Sequence, residues 1–197
     1  MTEKHFHRRN LPHLYFRDGI YFITYRLANS LPSSKVAEVK AVISEKKLDN
    51  SEKFKRLLKK YDDFLDNGLY GNKYLTNSEI AEICKHSLHY PDKKDYKLIC
   101  YCIMPNHVHL VFELNKGNKG ISKIMQSIKR TSARKCNLII NREGKFWQDE
   151  SYDRLVRDEK ELFFIIRYVL MNPVNAGLVK NWSDWKYTFC QLEYIVL

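Results

Sequence analysis

The sequence predicts an α+β fold, a ferredoxin-like sandwich in which an antiparallel sheet has helices packed on one face. Three observations support this fold class. The predicted elements run strand, helices, two strands, helix, strand, helix; two strands are joined by a short turn; and the helices carry apolar stripes. With 197 residues, 44% of them hydrophobic, the chain can bury a core. We expect one domain over residues 1–197, with a helical insertion at about 49–90.

Runs of β-branched and aromatic residues predict the strands. The first is GIYFITYRL at 19–27, and the nearly all-apolar segment 96–103 is typical of a central strand. The sequence MPN at 104–106 turns the chain into a second strand that begins at His107, which predicts a hairpin. A shorter strand is predicted at 152–157.

Helical periodicity predicts three helices before this hairpin. Two of them lie at 35–47 and 52–66. The third begins at a capping-box pattern, Thr76 followed by Glu79, and ends near Leu88. These segments include the expected insertion.

Two further helices follow the hairpin. A long amphipathic helix is predicted from the loop at 117–120 to about Ile140. The last helix begins near Asp158, and we expect it to end near Asn172, because Pro173 disfavours helical backbone in the residue before it.

Composition narrows the choice of partners and of compartment. The net charge of +11 favours a polyanion, nucleic acid first, over a basic protein without such a partner or one drawn to anionic membranes. No apolar run could span a membrane and the first residues lack a secretory signal, so we expect a cytoplasmic protein without a membrane partner. The cysteines are odd in number and lack paired spacing, which indicates reduced thiols: Cys84, Cys100, Cys102, Cys136 and Cys190.

Two histidines lie two residues apart in the second strand of the hairpin, within MPNHVHLVFE. Alternate residues of a strand point to one face, so His107 and His109 project together, while Val108 and Leu110 belong to the opposite, buried face. The pair could be ordinary hydrogen-bonded histidines. It could also bind a divalent ion, which would then need a third ligand from elsewhere in the chain.

Tyr168 and Asn172 lie four residues apart in RYVLMNPVNAGLV, so a helix places both side chains on one face, one turn apart. They could be a core aromatic and a helix terminator. Asparagine is also a potential oxygen ligand, and tyrosine a potential covalent nucleophile. The spacing alone leaves both interpretations open.

The segment SKIMQSIKRTSARK predicts a helix with a basic side. Lys123, Arg130 and Arg134 lie opposite its apolar stripe with no acid between them, and Lys129 is adjacent to Arg130 in the sequence. Such a side could simply be solvated, or it could contact the phosphates of a nucleic acid. We expect all four cations to contribute to nucleic-acid binding.

Four segments follow one another in a characteristic order: MPNHVHLVFE, SKIMQSIKRTSARKCN, FWQDESYDRLVRDEKEL and YVLMNPVNAGLV. Together they resemble the HUH single-tyrosine transposases, in particular the REP-associated tyrosine transposase branch related to the insertion-sequence 200 type. HUH denotes histidine, a hydrophobic residue and histidine. The resemblance covers roughly residues 10–190. It implies an enzyme that cleaves and rejoins single-stranded DNA at hairpin-forming repeat elements, as a monomer or a homodimer.

The resemblance also implies roles for individual residues. His107 and His109 would hold a catalytic Mg²⁺ or Mn²⁺, with Asn172 as the third ligand. Tyr168, on a C-terminal catalytic helix, would be the nucleophile. Its attack on a phosphate would give a 5′-phosphotyrosine and a free 3′-hydroxyl.

Two other functions are compatible with parts of the sequence. A non-catalytic nucleic-acid-binding module with an RNA-recognition-like fold would carry stacking aromatic residues on its strands, where this chain has histidines. A metal-dependent hydrolase of small phosphoesters would need neither the basic helix nor a tyrosine nucleophile. Covalent attachment of cleaved DNA to the protein separates the transposase from both.

Overall fold

The computed structural model describes residues 5–8, 12–15, 18–43, 49–67 and 69–195. Its strands are β1 (His5–Arg8), β2 (Pro12–Tyr15), β3 (Ile20–Arg26), β4 (Tyr96–Ile103), β5 (His107–Leu114), β6 (Tyr152–Leu155) and β7 (Thr188–Cys190). Its α-helices are α1 (Ser33–Ile43), α2 (Asn50–Asp66), α3 (Ser78–His89), α4 (Ile121–Ile139) and α5 (Glu159–Asn175). The predicted end of the first helix, near residue 47, lies outside the described residues.

Five strands form one sheet in the order β6-β3-β5-β4-β7, and every neighbouring pair is antiparallel. Strands β1 and β2 pair with each other in a separate sheet. The chain order β3-α3-β4-β5-α4-β6 and the spatial order of these strands give the ferredoxin-like topology. The predicted fold class and the hairpin of β4 and β5 are therefore confirmed.

Helices cover both faces of this sheet, whereas the sequence had predicted helices on one face. One face packs against α3 and α4 through the alternating residues Val108, Leu110 and Phe112 of β5. The other face, which includes Phe22 and Val111, packs against α1, α2 and α5. The prediction was wrong in this detail because β4 is apolar on both sides, with Leu98 and Tyr101 on one side and Ile99 and Cys102 on the other, and a strand of that kind must be covered twice.

The segment predicted as an insertion, at about 49–90, contains helices with different positions. Helix α3 packs beside α4 on one face of the sheet, where it belongs to the ferredoxin-like sandwich. Helix α2 packs on the opposite face together with α1. The pair α1 and α2 is therefore the addition to the sandwich. Among the described residues, no helix has the length and apolar character needed to span a membrane.

The start of α3 differs from the predicted capping box. The side-chain Oδ1 of Asn77 accepts hydrogen bonds from the backbone N–H groups of Glu79 and Ile80, so Asn77 is the N-cap. Thr76 instead donates its hydroxyl to the carbonyl of Lys73 in the preceding turn. The short asparagine side chain caps a helix at least as well as threonine, which explains why the helix begins one residue later.

Helix α5 continues past Pro173 to Asn175, so the predicted end near Asn172 was wrong. Proline removes one backbone donor, but near the end of a helix this costs a single hydrogen bond. The helical pattern resumes directly, because the N–H of Ala176 donates to the carbonyl of Asn172 at 3.0 Å. As a result, Asn172 remains in a regular helix one turn beyond Tyr168.

Candidate metal centre and nucleophile

The two histidines of β5 form a buried pair on the sheet face that α2 and α5 cover. Both side chains are 0% exposed, and the Nε2 atom of His107 lies 3.0 Å from the Nε2 atom of His109. The spacing in the sequence had predicted that they share a face, and the structure brings them together. They do not line a polar surface.

Neighbouring side chains orient both imidazole rings through their Nδ1 atoms. Asn106 donates its Nδ2 to the carbonyl of Leu65, which leaves its Oδ1 to accept from Nδ1 of His107 at 2.7 Å. The N–H of His107 is therefore on Nδ1, and its Nε2 carries a lone pair. Nδ1 of His109 lies 2.8 Å from the hydroxyl of Thr24, which can donate or accept. Without metal, Nε2 of His109 therefore donates to Nε2 of His107 at 3.0 Å, and the Thr24 hydroxyl donates to Nδ1 of His109; with metal at Nε2 the two roles at Thr24 reverse.

Burial keeps both histidines neutral. It lowers the pKa of His107 to about 3. Burial and the neighbouring His107 lower the pKa of His109 well below its ordinary value. Neutral imidazole is the form that binds metal ions, so neither ring has to lose a proton first.

Asp62 on α2 joins the histidines, although the sequence analysis missed it. Its Oδ1 lies 3.6 Å from Nε2 of His109, and ligand atoms of Asp62, His107 and His109 all lie within 4.8 Å of one another. A signal was present in the sequence. Asp62 lies four residues after Leu58 and three before Leu65, within the apolar stripe of the helix, where an acid is unusual.

The other two predicted site residues, Tyr168 and Asn172 on α5, contact the same carboxylate. The hydroxyl of Tyr168 donates to Oδ2 of Asp62, and Nδ2 of Asn172 donates to that oxygen at 2.9 Å. The ring of Tyr168 also packs edge-on against His109, with centroids 5.3 Å apart. Burial, followed by the Asp62 carboxylate, raises the pKa of Tyr168 well above its ordinary value. The tyrosine is therefore held protonated in the protein without metal.

The residues of this centre fit a divalent cation. Two ligands next to each other on an octahedral ion with bonds of about 2.1 Å are about 3.0 Å apart, which matches the two Nε2 atoms. Two buried oxygens, Oδ1 of Asp62 and Oδ1 of Asn172, have no hydrogen-bond partner. Burial also raises the pKa of Asp62 well above its ordinary range, against the lowering effect of the Tyr168 hydroxyl. A cation would offset the cost of burying this carboxylate.

The basic residues of α4 lie on the opposite face of the sheet from this centre. Lys123, Arg130 and Arg134 line one open cavity of about 410 Å³, which we call the α4 groove, together with Gln126, Ser127 and Thr131. All three cations lie on one side of the helix, as the sequence predicted. The α4 groove and the candidate metal centre are therefore spatially separate.

Lys129 lies outside the α4 groove. Its Nζ donates to the backbone carbonyls of Gln148 and Asp149 at 2.9 and 3.1 Å, and it lies 5.6 Å from the ring centroid of Tyr25. Burial lowers the pKa of Lys129 to about 8. These contacts favour a structural role over the predicted contact with nucleic acid.

Comparison with known proteins identifies relatives of this chain. Residues 68–172 match the family model described as "Transposase IS200 like", and this range contains both histidines, Tyr168 and Asn172 but not Asp62. A Haemophilus influenzae protein assigned to the REP-associated tyrosine transposases is 29% identical over 150 residues, 64% of this chain and 81% of the relative. An Escherichia coli REP-associated tyrosine transposase is 25% identical over 95 residues, which cover 48% of this chain and 54% of that protein.

A solved structure of a REP-associated tyrosine transposase bound to a REP hairpin has the same fold. It superposes with a TM-score of 0.59 at 19% identity, and the match covers 95% of this chain and 82% of that chain. The family model matches more than half of the 197 residues, including both histidines and the tyrosine. The chain therefore belongs to the IS200-like transposase family.

Proposed function

We propose that this transposase cleaves and rejoins single-stranded DNA with Tyr168 as the nucleophile and Mg²⁺ or Mn²⁺ as the cofactor. One observation carries the proposal. The hydroxyl of Tyr168, the amide of Asn172 and the facing Nε2 atoms of His107 and His109 meet at one buried centre. Membership of a transposase family supports DNA processing as the activity.

The reaction is a transesterification at phosphorus. The oxygen of Tyr168 attacks the phosphate and loses its proton, the bond from phosphorus to the 3′-oxygen breaks, and that oxygen takes up a proton. The products are a 5′-phosphotyrosine and a free 3′-hydroxyl. Attack of a 3′-hydroxyl on the phosphotyrosine reverses these steps and rejoins the strand, so no external energy source is needed.

The side chains around Tyr168 would have different roles in this reaction. His107, His109 and Asn172 would hold the divalent ion, which supplies Lewis-acid polarisation of the phosphate when bound. Tyr168 is one helical turn before Asn172 on α5, so its hydroxyl would lie beside the ion. This would limit the directions from which the hydroxyl can attack the phosphate. Phe22 stacks on the ring of His109, with centroids 5.8 Å apart, and helps exclude water from the centre.

DNA has to reach a centre that is closed in this structure. The side chains of His107 and His109 are 0% exposed, so a phosphate can reach them only after a helix that covers this face, α2 or α5, shifts. The α4 groove, on the other side of the sheet, would contact the backbone phosphates of the same DNA. A related structure contains a REP hairpin, and the net charge here is +11, so we propose hairpin-containing single-stranded DNA as the substrate.

The test uses hairpin-containing single-stranded DNA labelled at its 3′ end, with Mn²⁺ or Mg²⁺. The 5′-phosphotyrosine stays on the 3′ fragment, so label should remain on wild-type protein after denaturation. Tyr168→Phe keeps the ring and should bind the DNA with near wild-type affinity, yet carry no label. If the phenylalanine variant becomes labelled as well as wild type, Tyr168 is not the nucleophile. Cleavage without covalent label would favour a hydrolase, and binding without cleavage a non-catalytic module.

A further inference from the structure

We infer that Asp62 is a working residue of this centre, as a further ligand of the divalent ion and as the acceptor that positions the Tyr168 hydroxyl. This inference rests on the proposed function. It adds α2 to the site. This helix precedes residues 68–172, the part of the chain that matches the family model.

The contacts of the carboxylate point in two directions. One oxygen, Oδ2, accepts from both Tyr168 and Asn172 on α5. The other oxygen, Oδ1, faces Nε2 of His109 at 3.6 Å and has no hydrogen-bond partner. A single carboxylate thus joins the predicted nucleophile to the predicted metal ligands. Its free oxygen is on the side of the histidines, where a cation would bind.

The surroundings of Asp62 favour a cation beside its ionised form. The residue is 8% exposed and belongs to the apolar stripe of α2 with Leu58 and Leu65. Within 4.0 Å of its carboxylate, the described residues place the imidazole of His109 but no lysine or arginine. A buried carboxylate without a cationic partner is costly, and an apolar residue would pack better at this position. A divalent ion shared with the histidines supplies the missing charge.

The positioning role follows from the same geometry. Tyr168 can rotate about its side-chain bonds, and its phenol oxygen has to be held where it would face the scissile phosphate. The hydrogen bond to Oδ2 of Asp62 fixes that oxygen beside the centre. Because Asp62 contacts the reacting oxygen, a change at this position should affect the rate of adduct formation as well as metal affinity.

The test measures Mn²⁺ binding by calorimetry to the full chain without DNA. Asp62→Asn keeps the size of the side chain and removes the charge, and we expect at least about a tenfold loss of Mn²⁺ affinity. Asp63→Asn is the matched control, because it removes one charge from the exposed neighbouring position of α2 and should change affinity less than about twofold. Melting temperatures without metal show whether each variant is folded, and Asp62→Ala serves as a second variant.

The rate of covalent labelling with DNA then tests the positioning role. Asp62→Asn should form the adduct at least about tenfold more slowly than wild type even at saturating Mn²⁺. Wild-type Mn²⁺ affinity in the folded variants, or a wild type that binds no Mn²⁺, overturns the metal-ligand role. A wild-type rate of labelling in Asp62→Asn at saturating Mn²⁺ overturns the positioning role. Failure of the proposed function gives a different result, in which Mn²⁺ binds through Asp62 but no DNA is ever attached to the wild type.

Discussion

The hydroxyl of Thr24 lies 2.8 Å from Nδ1 of His109, its direct cross-strand partner in the pairing of β3 with β5. When Nε2 of His109 binds a metal, its proton must be on Nδ1, and the Thr24 oxygen is the acceptor for that proton. Oδ1 of Asn106 likewise accepts the proton of Nδ1 of His107, at 2.7 Å. The two rings are thus held with their Nε2 atoms facing each other before any ion binds.

Thr24→Val tests this arrangement with little change in shape. Loss of the acceptor disfavours the tautomer that binds metal, so Mn²⁺ affinity should fall about 10- to 100-fold. The free energy of unfolding without metal should fall by only about 0.5–1.5 kcal/mol. Calorimetric titration measures the Mn²⁺ affinity, and urea denaturation measures the free energy of unfolding. Thr188→Val, whose hydroxyl contacts Cys102 and no imidazole, is the control. Equal Mn²⁺ affinity in wild type and Thr24→Val would show that this hydrogen bond does not set the tautomer.

Metal binding should stabilise the folded protein. The unfolded chain does not preserve the cluster, so Mn²⁺ at one hundred times its dissociation constant should add about 2.7 kcal/mol to the free energy of unfolding. The melting temperature should rise with Mn²⁺ concentration and return to its original value with a chelator.

The matched pair for this experiment is His107→Ala and His86→Ala. The first variant should lose the Mn²⁺-dependent rise in melting temperature, because it removes one of the two facing Nε2 atoms. The second removes an exposed histidine of α3 and should retain the rise. A rise that survives in His107→Ala would place the ion elsewhere.

The α4 groove should contribute affinity for DNA without sequence preference. Replacing Lys123, Arg130 or Arg134 with alanine should weaken binding to all sequences alike. Each replacement should also reduce the magnitude of the slope of log affinity against log salt concentration by about 1. Lys135→Ala, on the same helix but outside the groove, should leave the slope unchanged. Binding isotherms at several salt concentrations measure these slopes, and identical slopes throughout would mean that the groove is only solvated.

Lys129 should affect stability rather than DNA binding. The folded protein releases the Lys129 proton near pH 8, whereas the unfolded chain keeps it to about pH 10.4. Between these values the unfolded state binds more protons, so wild type should gain stability relative to Lys129→Met as the pH rises. Denaturant unfolding at pH 7.5 and 9.5 tests the sign. A reduced salt slope for DNA binding in Lys129→Met would instead return Lys129 to the nucleic-acid interface.

Helix α2 should open more easily than α5. We expect α2 to open transiently to admit DNA to the fully buried histidines and to close again, with Asp62 back at the centre, before the reaction. Such local openings occur at a lower free energy than global unfolding. Hydrogen exchange of the protein without DNA should therefore show faster exchange for interior amides of α2 than for those of α5. Equal protection of both helices would indicate that DNA reaches the metal by another route.

Local periodicity in the sequence was sufficient to predict several helices and strands and which side chains share a face. The two-residue spacing of His107 and His109 determined that they share a face, because a strand repeats every two residues. The four-residue spacing of Tyr168 and Asn172 likewise determined that a helix presents them together, one turn apart. The bounds of β4, the start of β5 and the stripe of α4 followed from the same kind of pattern.

Only the tertiary structure decided which of these faces meet. A periodic pattern identifies a buried side of an element but does not say what covers it, so the packing of helices on both faces was not predicted. Asp62 reaches the histidines from a separate helix, and no spacing within the sequence connects α2 with β5 or α5. Lys129 is next to Arg130 in sequence, yet the chain at Gln148 and Asp149 folds over its ammonium group and removes it from the groove. Contacts between elements depend on how the sheet orders and covers its strands, and that is a property of the whole packed chain.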